Sequence, residues 1–152
     1  MKFWVLAGVA TAGTLLLLQT AAPPQAASEE ELSRHRNLGK AFYENPTTQN
    51  EAVEAFRKAL QLAPNSTREK LNYGLALLRA GKTDEGVAQL QAVQQRDPKL
   101  PHTWFNLGIV YKKQGEHDKA VAQFERMVQL APSEPISHYN LGALYKLSLI
   151  HI

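Results

Sequence analysis

The glycines at 39, 74, 108 and 142 stand 35, 34 and 34 residues apart, each inside the same short phrase. The phrases are RNLGKAFY (36–43), NYGLALL (72–78), FNLGIVYKKQG (105–115) and YNLGALYK (139–146). A second series keeps the step: Pro64, Pro98 and Pro132 are 34 apart and end LQLAP, QQRDP and VQLAP. A fixed period of this length belongs to a chain that stacks one small unit on itself, which removes most folds at the outset. The unit is helical, because apolar residues recur three and four apart in Val53-Phe56-Leu60, Val87-Leu90-Val93 and Val121-Phe124-Val128. Gly81 and Gly115 stand where a helix ends in the left-handed region that glycine tolerates, and Ser66 with Glu69 reads as a capping box opening another. Gly39, Gly74, Gly108 and Gly142 are placed to let one helix of each pair approach its partner, with Ala52, Gly86 and Ala120 small on the facing helix. No single pair buries its apolar face alone, so stacking must supply the core.

Residues 101–134 carry Trp104, Leu107, Gly108 and Tyr111, then Ala120 and Phe124, then Pro132. These match the pattern W-x2-L-G-x2-Y, A-x3-F, P, and on them the chain resembles the tetratricopeptide-repeat family over residues 32–146. The resemblance implies an all-α solenoid of antiparallel helix pairs in a right-handed superhelical stack. Its repeats are 32–66, 67–100 and 101–134, with the first helix of a fourth at 135–146. The first unit keeps Leu38, Gly39, Ala52, Phe56 and Pro64, with one extra residue in the turn ENPTTQN. The second keeps Gly74 and Pro98 but has Lys70, Tyr73, Leu77, Gly86 and Leu90 at the Trp, Leu, Tyr, Ala and Phe positions. The fourth keeps Leu141, Gly142 and Tyr145.

The two ends read differently from the repeats. Met1-Lys2, then the uncharged run FWVLAGVATAGTLLLL (3–18), then small residues and prolines, have the layout of an export signal. Stretching the apolar run to Ala22 would instead give an uncleaved anchor, so residues 1–27 read as signal peptide or N-terminal anchor with linker, and either places the remainder outside the cytoplasm, periplasmic or extracellular. At the other end, LSLIHI (147–152) stands where sibling repeats carry a polar turn, and it resembles the translation of a transposase mosaic end used in sequencing-library preparation. The expectation is that these six residues are artefactual and the natural chain continues. The phrases NLGKAFYENPTTQNEAVEAF and LPHTWFNLGIVYKKQGE are similar to exported bacterial proteins in which such repeats precede a β-propeller. That implies, as the alternative reading, an accessory region of a larger protein.

Chemistry is harder to find. With no cysteine, thiolate catalysis, disulfides and cysteine-ligated metal are excluded. The five histidines form neither H-x3-H nor H-E-x-x-H, and no glycine cluster cradles phosphate. Glu29-Glu30-Glu31 reads as acids at a helix start, favoured by the macrodipole. No catalytic residue, metal or cofactor is expected, and the net charge of +3 is too small and too dispersed to point to nucleic acid. The family resemblance implies instead a concave groove lined by the first helix of each repeat. Carried over position by position, its candidates are Ser33, Arg36, Lys40, Tyr43 and Glu44, then Arg68, Leu71, Leu75, Leu78 and Arg79. The third repeat adds His102, Phe105, Ile109, Lys112 and Lys113, and the fourth Ile136, Tyr139, Ala143 and Lys146. Seven Lys or Arg against one acid, beside an apolar strip, point to a protein or peptide partner with acidic and apolar side chains. Repeats that clamp a C-terminal carboxylate need further basic and Asn positions, and Lys40, His102 and Asn106 depart from them. The membrane is met only through an uncleaved N-terminal segment, and self-association is expected at the open helix face after Lys146.

Overall fold

The computed structural model describes the backbone of residues 24–150 and the side chains of 28–147. Seven helices and no strand occur among them: α1 (Pro24–Glu44), α2 (Gln49–Leu62), α3 (Thr67–Arg79), α4 (Thr83–Arg96), α5 (Pro101–Lys113), α6 (His117–Leu130) and α7 (Pro135–Ile150). The export segment lies outside the described residues, save its linker. Within that linker α1 already begins at Pro24, so Glu29 to Glu31 sit past its first turn and not at its start. The macrodipole reading of those acids is therefore corrected. Among the described residues no helix is long and apolar enough to cross a membrane.

Two kinds of turn punctuate the chain. After α3 and α5 the backbone reaches φ 76° at Gly81 and Gly115. Lys82 N then donates to Leu77 O at 2.9 Å and Glu116 N to Tyr111 O at 2.9 Å, which satisfies carbonyls a helix end leaves free. After α2, α4 and α6 the prolines at 64, 98 and 132 stand one residue beyond the cap, where no backbone donor is required. The extra residue between α1 and α2 is absorbed in an Asx turn, Thr47 N donating to Asn45 Oδ1 at 3.0 Å, and Thr48 Oγ1 caps Phe42 O at 2.9 Å. Ser66 Oγ accepts from Glu69 N at 3.3 Å, so half of the expected capping box forms. The other half does not, for Ser66 N donates to Ala63 O.

Helices α1, α3 and α5 each pair with the even helix that follows, each pair packs on the next, and α7 packs on α6. The glycines set how closely. A Cβ on Gly39 would lie 2.7 Å from the Phe56 ring, on Gly74 3.0 Å from Gln89 Cβ, and on Gly108 2.9 Å from the Phe124 ring. A Cβ on Gly86 would lie 2.7 Å from Leu78 Cδ2 and 3.0 Å from the Gly74 carbonyl oxygen, so in the second repeat both helices give up a side chain where they meet. Two apolar clusters result. Ala52, Val53, Phe56, Ala76 and Leu77 form the first, joining α2 to α3. Leu90, Leu107, Tyr111, Ala120, Phe124 and Leu144 form the second, joining α4 through α7. Helix α3 serves both, because Leu71, Leu75 and Leu78 pack against the second cluster. Full burial of one such side chain stabilises by ~1.5–3 kcal/mol.

The signature residues at the ends behave differently from their equivalents inside. Leu38 is 39% exposed where Leu107 is 1%. Tyr145 is 45% exposed where Tyr111 is 8%. The reason is positional: Leu107 is covered by the preceding repeat and Tyr111 by the helices on either side of α5, and such neighbours are missing at the two ends of the described stack. A Cβ on Gly142 would meet nothing within 4 Å. Trp104 is held by its Nε1 donating to Pro98 O at 3.0 Å, and His138, its equivalent, sets Nε2 2.9 Å from Pro132 O.

Candidate functional site

Two adjoining clefts open along the odd-numbered helices. The larger, ≈ 340 Å³, is walled by Tyr43 of α1, by Leu75, Leu78 and Arg79 of α3, and by Asn106, Ile109, Val110 and Lys113 of α5, with Thr83 and Gln114 at its edge. The smaller, ≈ 120 Å³, is lined by Lys40, Tyr43, Glu44, Phe56, Asn72 and Leu75. Tyr43 and Leu75 belong to both, so the two form one groove across three repeats.

The floor is apolar because these helices present the same face at each 34-residue step. The rim is cationic. Arg79 lies over the Tyr43 ring, 4.8 Å from its centroid, a cation–π contact that fixes both side chains at the mouth of the larger cleft. Lys113 stands on the opposite wall and Lys40 at the far end. Glu44 is the acid on the rim.

Of the residues predicted from the sequence, the groove brings together Lys40, Tyr43, Leu75, Leu78, Arg79, Ile109 and Lys113, with Glu44. The others lie elsewhere. Leu71 and Phe105 pack into the second core, Phe105 meeting Phe124 edge-on at 6.1 Å between centroids. Lys112 Nζ donates to Asn140 Oδ1 at 2.8 Å, bridging α5 to α7. Arg36 Nη2 is taken by Glu69 at 2.6 Å, and Arg68 Nε, on a mostly exposed side chain, lies 3.2 Å from the same carboxylate. The expectation of seven groove cations is corrected for four: these three, whose partners come from neighbouring repeats or, for Arg68, from the adjacent residue, and Lys146, which is exposed on α7. His102 is exposed at the start of α5, Tyr139 is 74% exposed on α7, and Ser33, Lys146 and Ile136 are also exposed, none of them lining either of these two clefts.

Sequence reasoning missed Val110, Gln114 and Thr83, and passed over Asn72 and Asn106 as features common to such repeats. It also missed Glu69, which is fully buried. The signal for the asparagines was their recurrence at 37, 72, 106 and 140. Asn106 Nδ2 donates to His102 O at 2.7 Å and Asn140 Nδ2 to Ile136 O at 2.8 Å, one turn back in each helix. Among the described residues no group of three potential metal ligands converges.

Two family models, both described as tetratricopeptide repeat, match residues 48–66 and 71–135. No curated protein matches the sequence. Solved structures do. The Arabidopsis OM64 TPR domain is similar at a TM-score of 0.72 and 19% identity, over 82% of this chain and 99% of that one. The second TPR domain of human RPAP3, in complex with the HSP70 peptide SGPTIEEVD, is similar at 0.68 and 15%, over 78% and 98%. MamA from Desulfovibrio magneticus RS-1 is similar at 0.60 and 23%, over 82% and 77%. At these identities the likeness is one of fold.

Proposed function

Because this chain belongs to the tetratricopeptide-repeat family, and so to a family of protein-interaction scaffolds, we propose that it holds a peptide segment of a partner protein in the groove along α1, α3 and α5. The segment is extended or helical and alternates aliphatic with acidic side chains. Aliphatic groups enter between Tyr43, Leu75, Leu78 and Ile109, and carboxylates meet Arg79, Lys113 and Lys40 on the rim. The observation that carries this reading is the pairing of an apolar floor with a cationic rim in one groove across three repeats. Apolar burial supplies affinity and charge-assisted hydrogen bonds supply register. The peptide on the RPAP3 domain sets an isoleucine beside two glutamates, a composition of the same kind.

The departures at Lys40, His102 and Asn106 favour side-chain carboxylates over a terminal one. The test is fluorescence polarisation with an acidic, leucine-containing peptide made with free and with amidated C-terminus. The two forms are expected to bind alike. Arg79→Glu with Lys113→Glu is expected to weaken binding about tenfold or more, at roughly 1 kcal/mol for each exposed charge pair. Unchanged affinity, with the helical circular dichroism intact, would sink the proposal.

The same reading places the scaffold outside the cytoplasm, on the strength of the apolar run 3–18 behind Lys2. Fractionation of the source cells, with the mature N-terminus sequenced, tests it; a cytoplasmic chain starting at Met1 overturns it.

A further inference from the structure

The third position of the first helix is buried in each of the last three repeats, and it is occupied by Glu69, Thr103 and Ser137, all 0% exposed. Thr103 serves this position as a small group that closes its own turn, Oγ1 donating to Leu100 O at 2.8 Å. Glu69 instead brings a charge into it. One carboxylate oxygen, Oε1, receives Arg36 Nη2 at 2.6 Å, Arg36 Nε at 2.8 Å and Arg68 Nε at 3.2 Å. Its Oε2 is buried without a partner among the described residues. A carboxylate withdrawn from water has to be paired, so Arg36 is drawn across from α1.

Both arginines stand on helices that line the groove, one turn short of the smaller cleft and not in its wall. Arg36 stands one helical turn before Lys40 and Arg68 one turn before Asn72, and Lys40 with Asn72 lines the smaller cleft. Guanidinium groups are the side chains best shaped to take a carboxylate two-pronged. Here they converge on an acid belonging to the protein itself. We propose that Glu69 is a resident acid: it fills the place an acidic ligand residue would take at the Arg36–Arg68 end of the groove, and so confines the ligand's acids to Lys40, Arg79 and Lys113. The inference rests on the peptide-binding reading above and deepens it, since it makes Glu69 the residue that sets how many acids a ligand presents and in which repeat they dock.

The experiment uses the full chain and a labelled peptide of alternating leucine and glutamate, long enough to span four helical turns of groove. Glu69→Thr installs the side chain of the third repeat, which already fits this position. It is expected to bind the peptide about tenfold tighter than the native chain, with a steeper fall of affinity as salt is added, because two more ion pairs form. Adding Arg36→Gln and Arg68→Gln to it is expected to abolish the gain. Glu69→Gln, which keeps the shape and one acceptor, is expected to gain about threefold, and it carries the comparison should the threonine variant fail to fold. If the native chain binds through Arg79 and Lys113 but neither variant binds more tightly, the resident-acid proposal is overturned and the groove reading stands. A role for Glu69 as a mere tie between repeats would show as that outcome, with lowered melting temperature and no gain. If native binding ignores Arg79→Glu and Lys113→Glu, the groove reading falls. The resident-acid proposal, which confines the ligand's acids to those cations, then falls with it.

Discussion

A methyl group added at Gly108 would press on the Phe124 ring at 2.9 Å, and Phe124 is fully buried. The same group added at Gly142, the equivalent position one repeat later, would meet nothing within 4 Å. Gly108→Ala is therefore expected to destabilise by ~1–3 kcal/mol through overpacking, less whatever the better helix former returns. Gly142→Ala is expected to be neutral or to stabilise by up to ~1 kcal/mol. Urea unfolding of the pair of variants checks both, and equal effects would mean that the contact with Phe124 is not what fixes Gly108. Gly81 and Gly115 are constrained for another reason. Nothing crowds them, but φ is 76° at both, and alanine there is expected to cost about 1–2 kcal/mol.

At the scale of the helix, α7 is tied to the rest by named contacts. Tyr145 OH donates to Glu125 Oε1 of α6 at 2.6 Å, and Lys112 reaches Asn140 from α5. The hydrogen bond to Glu125, aided by partial desolvation and by the carboxylate's charge, holds the Tyr145 hydroxyl above its ordinary value of 10.0. A group raised in this way contributes in full below its unfolded pKa, and the contribution disappears as pH rises through the shifted value. Tyr145→Phe should thus lower the melting temperature at pH 8, and the difference from the native chain should close above pH 10, as followed by circular dichroism. A difference that persists at high pH would show that the hydrogen bond is not its source. Phe124→Ala, which empties the middle of the second core, is expected to cost ~3–5 kcal/mol in the same assay.

Helices and their ends were legible because each depends on residues close in sequence. Period, glycine and proline together mark α2 to α6, and the packing glycines follow from the same register. The start of α1 was not legible, since Ala22 and Pro23 ahead of Pro24 are not capping residues. The groove was half legible. The groove positions that the family resemblance implies, carried over residue by residue, found Tyr43, Leu75, Arg79, Ile109 and Lys113. They do not say which cation is already consumed. Glu69 read as the end of a local capping box, yet its carboxylate is claimed by Arg36, 33 residues earlier. Lys112 is claimed by Asn140, 28 residues later. Such partners arise only once one repeat is laid on the next.

At the scale of the molecule, the described residues form two apolar cores with α3 shared between them. Stability in a stacked chain is close to a sum of local and neighbour contributions, so the two cores need not lose structure together. Tyr43 fringes the first core and Ile109 the second, yet both face one cleft. In mechanical language the protein is two blocks joined by a single shared strut, with the groove at the open side of the joint. A ligand seated there acts as a tie bar across the gap. Pulled from its ends in an optical trap, the free chain should lengthen in two steps as the blocks part in turn. The occupied chain should hold to a higher force and give way in one.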